Sequence, residues 1–422
     1  MKPRLHLYLK PLLLALLFVL LAAPEWPAFA DEEYRVDAVV GLREFDFLVW
    51  ELDALRAKAQ AWLANDQAYL DAAAQSDVVR HFLAQVAEAQ RLEAEINALY
   101  VDPAVADPAA ASADLRAALA AQQARIAQLQ PLAEGIVQEQ VAWALRQAGF
   151  GLLGQAWPPV LMHMTPLPTL LVISPRDRIE RVYAVSLRTD LTTPDFEAME
   201  TAVTQQTNLS ALVVPIGGLG TYPAMIGETS SINWLAEVTA HEWSHHWLTL
   251  QPLGIRYGQD AQMRIINETV ASIIDAEIRD VVLAHFYPEA MPPALPPADV
   301  PAPPPTADAP PPFDFRAEMA ATRIRVDELL AAGEVAAAEA YMEAQRQVFV
   351  ANGYLIRKLN QAYFAFYGAY AAQPGATGSD PIGPMLRDVR AQSPSLRAFM
   401  DAVAPIRSYA DLVALHQSLV GE

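Results

Sequence analysis

Residues 230–250 read SSINWLAEVTAHEWSHHWLTL, a pattern that predicts one helix with a reactive face. Ser230 and Ser231 are favourable N-cap residues for a helix from about Ile232 to Leu250, and a proline and a glycine soon after it would end the helix. The segment holds three of the eight histidines of the chain. Clustered histidines are poorly suited to a hydrophobic core, so this helix is the first candidate for a functional element.

The motif His-Glu-x-x-His within this helix predicts a metal site. His241 and His245 are four residues apart and therefore lie on one face of a helix, where both imidazoles can reach one metal ion. Glu242 is the predicted general base, which takes a proton from a water molecule whose pKa the metal lowers. His246 points about 100° away from His245 and is not expected to be a ligand. The alternative is a surface helix with incidental histidines.

A catalytic zinc site needs a third protein ligand and one open position. Glu268 is the best candidate, because it falls on the next predicted helix, from about Ala261 to Tyr287, after a turn that contains glycine. Asp275 and Glu277 are the rival ligands. Ser272 and Asp275 share the face of Glu268, at i+4 and i+7, where they could hold a ligand in position. The chain has no cysteine, so only histidine and carboxylate side chains can bind the metal.

The motif followed on a second helix by Asn267-Glu268 resembles the gluzincin metallopeptidases, which include thermolysin-like enzymes and aminopeptidases with the same motif. The resemblance covers about Leu212 to Ile278. It implies that the two histidines of the motif and Glu268 bind one zinc ion and that Glu242 is the base. It also implies that Leu212–Ile216 is the sheet edge along which a peptide substrate lies.

Gluzincins commonly add a tyrosine or histidine that stabilises the oxyanion of the tetrahedral intermediate. Tyr363 and Tyr367, four residues apart on one face of a predicted helix, are the candidates for this catalytic role. An aromatic pair at this spacing is also typical of a packed core, so that alternative stays open. Tyr222, beside a glycine-rich segment, is a further candidate.

The flanking sequence divides into a helical part and a mixed part. Residues 31–150 carry apolar residues at helical spacing. One stripe comprises Leu52, Leu55, Ala59 and Leu63, and another comprises Phe82, Val86, Ala89 and Leu92. After residue 150 the pattern predicts strands at Pro168–Ile173, Glu180–Leu187 and Leu212–Ile216 and a helix at Thr193–Gln206. The proline-rich stretch Pro288–Pro312 is predicted to be an extended loop.

The expected fold is therefore α+β and mostly helical. A helical N-terminal domain at residues 31–150 precedes a zincin-like catalytic unit at residues 151–422. In that unit a small mixed sheet is expected to pack on the helix of the motif.

The first thirty residues predict export. Lys2, Arg4 and Lys10 precede the apolar run Leu12–Ala23, and Ala28-Phe29-Ala30 offers a cleavage site, so residues 1–30 are a predicted signal peptide. An uncleaved N-terminal anchor is the alternative, although the apolar run is short for a membrane span. The predicted location is periplasmic, extracellular or on the outer face of a membrane, with no further membrane span.

The formal net charge of −20 repels the phosphate backbone of nucleic acids, which are therefore not expected as partners. The sequence predicts a secreted zinc metallopeptidase with one Zn²⁺ and a peptide or protein substrate. One alternative is an exported binding or scaffolding protein with a structural or decayed zinc site. The other is a zinc hydrolase of non-peptide substrates.

Overall fold

The computed structural model describes residues 31–101, 104–291, 313–369 and 380–421. The predicted signal peptide and most of the predicted proline-rich loop lie outside the described residues. The described chain is mostly helical with small β-sheets, in agreement with the predicted α+β class. None of its described helices combines the length and the apolar character needed to cross a membrane.

The helices carry the bulk of the fold. In chain order they are α1 (Glu32–Val40), α2 (Phe47–Ala64), α3 (Ala72–Val101), α4 (Pro108–Ala111), α5 (Ala113–Gln147), α6 (Thr193–Gln206), α7 (Ile232–Leu248), α8 (Pro252–Ile255), α9 (Ala261–Phe286), α10 (Phe315–Ala331), α11 (Val335–Ala351), α12 (Gln361–Tyr367), α13 (Ile382–Gln392), α14 (Leu396–Val403) and α15 (Tyr409–Val420).

The strands are short and lie between residues 151 and 226. They are β1 (Gly151–Leu152), β2 (Gln155–Ala156), β3 (Met162–Met164), β4 (Thr169–Pro175), β5 (Tyr183–Leu187), β6 (Leu209–Val214), β7 (Gly218–Leu219) and β8 (Ala224–Ile226). They form an antiparallel pair β1-β2, an antiparallel sheet in the order β5-β4-β6, and a mixed sheet in the order β3-β8-β7.

The sheet β5-β4-β6 is buried on both faces. Leu171 and Ile173 of β4 pack on one face with α1 and α6, while Val172 between them packs on the other face with α12. A strand that buries both faces is uniformly apolar rather than alternating, which is why residues 170–173 are all hydrophobic. β6 is an edge strand, and Pro215 follows its last residue, as suits a residue without a backbone donor.

The mixed sheet β3-β8-β7 packs on α7, where the sequence predicts a small mixed sheet. Met162 and Ile226 of this sheet share one core cluster with Leu235 and Ala236 of α7. The same cluster contains Val141 of α5, so the core continues across residue 150. The predicted helical segment 31–150 thus packs directly on the helix of the motif.

Both apolar stripes lie on helices, as their spacing predicts, but only one of them is buried. The stripe from Phe82 to Leu92 is buried, as expected. Leu52 and Leu63 of α2 are instead 61% and 75% exposed. α2 turns a different face inward, because Lys58 forms a buried ion pair with Glu134 of α5. Helical periodicity alone does not reveal such a polar contact.

Candidate metal centre

The helix α7 is almost completely enclosed by the core. Ser231 caps it, accepting a hydrogen bond from Trp234 N at 3.3 Å, as the sequence predicts. Trp243 is 1% exposed and donates from Nε1 to Pro158 O at 2.8 Å, which fixes the rotation of the helix. The side chains of the two motif histidines, His241 and His245, are 14% and 19% exposed, because they face a cavity of about 630 Å³.

The helix α9 runs antiparallel to α7 and supplies the third candidate ligand. Glu268 Oε2 lies 3.3 Å from His241 Nε2 and 3.7 Å from His245 Nε2. All three candidate ligand atoms lie within 4.8 Å of one another. Zinc–ligand distances of about 2.0–2.2 Å place two ligands of one ion at most ~4.4 Å apart, and both separations from Glu268 satisfy this. The turn between the helices is tight at Gly254, where a Cβ would collide with the carbonyl group of Leu248.

The Nδ1 atoms of both histidines are already bonded. His241 Nδ1 lies 2.7 Å from Asp275 Oδ2, and His245 Nδ1 lies 2.9 Å from Asn267 Oδ1. An oxygen acceptor at Nδ1 places the proton there and leaves the lone pair on Nε2, directed at Glu268. This tautomer is the one that binds a metal through Nε2, so the set of two histidines and one glutamate fits a zinc ion.

Two of the three candidate ligands, His245 and Glu268, have the charge states that metal binding requires. His241 differs, because burial lowers its pKa but the bonds to Asp275 and Glu268 outweigh burial and raise it well above its usual value in the metal-free site. Burial, only partly opposed by Glu268, lowers the pKa of His245 to about 4, so its imidazole is neutral at pH 7. Burial opposes ionisation of Glu268, but His245, His241 and Tyr257 outweigh it and lower the pKa of Glu268 to about 2. A neutral imidazole and an ionised carboxylate are the protonation states that a metal requires.

Glu242 is buried beneath a glycine-rich edge of the cavity. A Cβ at Gly218 of β7 would collide with the Glu242 carboxyl group, and a Cβ at Gly220 would lie 3.5 Å from Glu242 Oε2. The missing side chains let the backbone pass close to the base. Burial raises the pKa of Glu242 to about 8, so in the metal-free site its carboxyl group is mostly protonated at neutral pH. A bound cation would favour the carboxylate form that a general base needs.

The resemblance implies Leu212–Ile216 as the substrate edge, but the structure puts a different segment along the cavity. Leu212 and Val214 pack against Ala362 and Phe366. The cavity is bordered instead by residues 216–221, which contain β7, the edge strand of the mixed sheet. Only Ile216 belongs to both segments.

Of the rival ligands, neither displaces Glu268. Glu277 forms two hydrogen bonds with Arg390, of 2.6 and 2.8 Å, away from the histidines. Asp275 bonds to the Nδ1 atom of His241 and so takes the predicted role of holding a ligand in position. Ser272 lines the cavity, as its predicted place on the face of Glu268 requires, and the described residues provide no hydrogen-bond partner for it.

Tyr257 was not found by the sequence patterns. Its hydroxyl donates to Glu268 Oε1 at 2.5 Å, and its ring lies 6.0 Å from that of His245. It lies in the segment between the two ligand helices. The one sequence signal for it was its position, a tyrosine shortly before the helix that carries the third ligand. Among the described residues that line the cavity it is the only tyrosine.

The tyrosines proposed from the sequence lie elsewhere. The rings of Tyr363 and Tyr367 lie 4.5 Å apart at an angle of 43°, in contact with hydrophobic core residues, and neither residue lines the cavity. Tyr222 donates its hydroxyl to Pro159 O at 3.2 Å. Its ring meets that of His246, whose Nε2 lies 2.6 Å from Thr221 O on the cavity border. His246 is therefore not in the ligand set but contacts the loop beside it.

No family model, curated protein or solved structure matches this chain.

Proposed function

We propose that this protein is a zinc-dependent hydrolase of peptide bonds. The observation that carries the proposal is the convergence of His241, His245 and Glu268 on one point, with both Nδ1 atoms bonded to oxygen acceptors. Both Nε2 atoms face the same Glu268 carboxylate, an arrangement that suits one metal ion held among the three side chains. The same support leads us to interpret the two ligand helices and the mixed sheet as a zincin-like unit.

His241, His245 and Glu268 would hold the ion through three protein ligands, the number that catalytic zinc sites use, and all three side chains line the cavity. When bound, zinc supplies a Lewis acid that polarises a carbonyl group and lowers the pKa of a water molecule. Glu242 would accept a proton from the attacking water and would return it to the departing amine. Tyr257 holds Glu268 in position through its hydroxyl group, and Asp275 does the same for His241.

Peptide is the favoured substrate because a β-edge borders the cavity. β7 is the last strand in the order β3-β8-β7, so its outer edge is not paired with a described strand. An extended peptide can bind such an edge by adding a strand, which aligns its carbonyl groups along the site. The predicted signal peptide makes the proposed place of action the outside of the cytoplasm.

The test separates metal binding from catalysis. Glu242→Gln keeps the size of the side chain but cannot accept the proton, so zinc should stay near one equivalent while peptide hydrolysis falls by several orders of magnitude. Glu268→Ala should release the zinc, and Glu277→Gln, on the same helix but paired with Arg390, is the matched control that should retain it. Zinc is measured by elemental analysis and hydrolysis with quenched fluorescent peptides.

Each alternative has its own outcome. One equivalent of zinc without hydrolysis of any peptide in the wild type would favour a binding protein with a structural zinc site. Zinc-dependent cleavage of esters or amides but not of peptides would favour a hydrolase of other substrates. Full hydrolysis by Glu242→Gln would rule out the proposed base.

A further inference from the structure

Arg181 is a cation in an otherwise acidic cavity. Among the described residues that line the cavity, it is the only lysine or arginine, whereas Glu237, Glu242, Glu268 and Asp275 are all acidic. Glu237, which lies on α7 one helical turn before His241, forms an ion pair with Arg279 at 2.7 Å. Arg181 pairs with no carboxylate of the described residues.

A second arginine increases the positive charge at this end. Arg264 Nη1 donates to Arg181 O at 3.4 Å, and both guanidinium groups lie against the ring of Tyr257, at 5.8 and 5.9 Å. Arg264 is 9% exposed, and its Nε has no hydrogen-bond partner among the described residues. Glu268, one of the carboxylates whose charge acts on Arg264, is already bonded to Tyr257 and belongs to the ligand set. Two arginines therefore have no carboxylate partner in the described part of a chain in which acidic residues outnumber basic ones, 49 to 29.

We propose that Arg181 binds a carboxylate group of the substrate close to the scissile bond. Arginine is the side chain best suited to this, because its planar fork can donate two parallel hydrogen bonds to a carboxylate. A carboxylate placed there would also compensate the unpaired charge of the two arginines. The inference rests on the proposed peptidase function and specifies its substrate class.

Distances define which carboxylate can reach Arg181. Arg181 Nη2 lies 3.4 Å from Tyr257 OH, which lies 2.5 Å from Glu268 Oε1, so the guanidinium group is within ~6 Å of that ligand carboxylate. An extended peptide advances about 3.3–3.6 Å per residue. The bound carboxylate therefore belongs to a group one or two residues from the scissile bond. It is either the C-terminal carboxylate of a peptide, which makes the enzyme a carboxypeptidase, or an acidic side chain at that position.

The experiment compares three peptides that differ only at the C-terminal end: one with a free C-terminus, one with an amidated C-terminus, and one with an amidated C-terminus and a glutamate as the last residue. Wild-type kcat/KM should be about 10–100-fold higher for a peptide that offers the carboxylate, as expected for a hydrogen bond to a charged group. Arg181→Gln should remove this preference, and Arg181→Lys should restore part of it. Arg178→Gln is the matched control, because Arg178 is in the same loop but pairs with Glu180 at the surface.

Two further measurements exclude other roles. Zinc affinity should be unchanged in Arg181→Gln, since a purely structural role through Tyr257 would weaken it. Calorimetric binding of N-acetyl dipeptides with free and amidated C-termini gives the preference without catalysis. If the wild type cleaves no peptide, the peptidase proposal fails, but this binding measurement still decides the role of Arg181.

Each possible result either supports or overturns the proposed role of Arg181. A preference for the free C-terminus, or for the glutamate peptide, that disappears in Arg181→Gln supports the proposal and identifies the source of the carboxylate. Equal cleavage and binding of all three peptides overturns it. So does a preference that survives Arg181→Gln, or an equal loss of cleavage for all three peptides in that variant.

Discussion

Tyr257→Phe tests the part of the site that sequence patterns did not reveal. The change removes one hydroxyl group and keeps the ring that packs against Arg181 and Arg264. The lost bond to Glu268 Oε1 is short, at 2.5 Å, and its acceptor is a carboxylate, the class of hydrogen bond that contributes about 1.5–3 kcal/mol. Zinc should therefore bind about 10–100-fold more weakly, as measured by competition with a chelator of known affinity.

Kinetics at saturating zinc separate two roles of this hydroxyl. If Tyr257 acts only through Glu268, kcat should return to the wild-type value once zinc is saturating. If it also donates to the oxyanion, kcat should remain about 10²–10³-fold lower. Tyr363→Phe and Tyr367→Phe are the matched controls and should change neither quantity, because these residues do not line the cavity. Unchanged zinc affinity in Tyr257→Phe would refute the reasoning.

Three other changes address the remaining parts of the structure. Asp275→Asn should weaken zinc binding about 10–100-fold, because an amide is a poorer acceptor for His241 Nδ1. Gly218→Ala should keep the zinc content and lower hydrolysis, because the new Cβ collides with Glu242. Glu134→Gln should lower the free energy of unfolding at pH 7 by about 3–5 kcal/mol in urea titrations, because it leaves a buried lysine without its partner.

The last of these changes has a defined pH dependence. Burial opposes ionisation of Glu134, but Lys58 and His163 outweigh it and lower its pKa to about 2. Because the pKa of Glu134 is lower in the folded than in the unfolded state, its ionised form stabilises the fold at pH values above the unfolded pKa. This contribution is about 3 kcal/mol and is lost as the pH falls from ~4.5 to ~2. The difference between wild type and Glu134→Gln should shrink over that interval. A stability difference that does not change with pH would contradict this prediction. Unchanged zinc affinity in Asp275→Asn would contradict the role of Asp275, and wild-type hydrolysis in Gly218→Ala would contradict the predicted collision with Glu242.

Local sequence determined the elements that carry the site. The spacing of His241 and His245 requires only that residues 232–248 are helical, and helix formation depends on neighbours in the chain. The N-cap at Ser231 and the limits of α6 were predictable for the same reason. The placement of Glu268 needed one further step, a turn that brings two consecutive helices together.

Tertiary structure alone decided what surrounds these ligands. Tyr257 reaches Glu268, and Gly218 passes over Glu242, through contacts between segments that no periodic pattern relates. The apolar stripe on α2 is helical as predicted but exposed for the same reason: Lys58 is buried against a carboxylate 76 residues away, and this contact turns a different face of the helix inward. Hydrophobic periodicity reports which side of a helix is apolar, whereas the side that is buried depends on what the rest of the chain places against it.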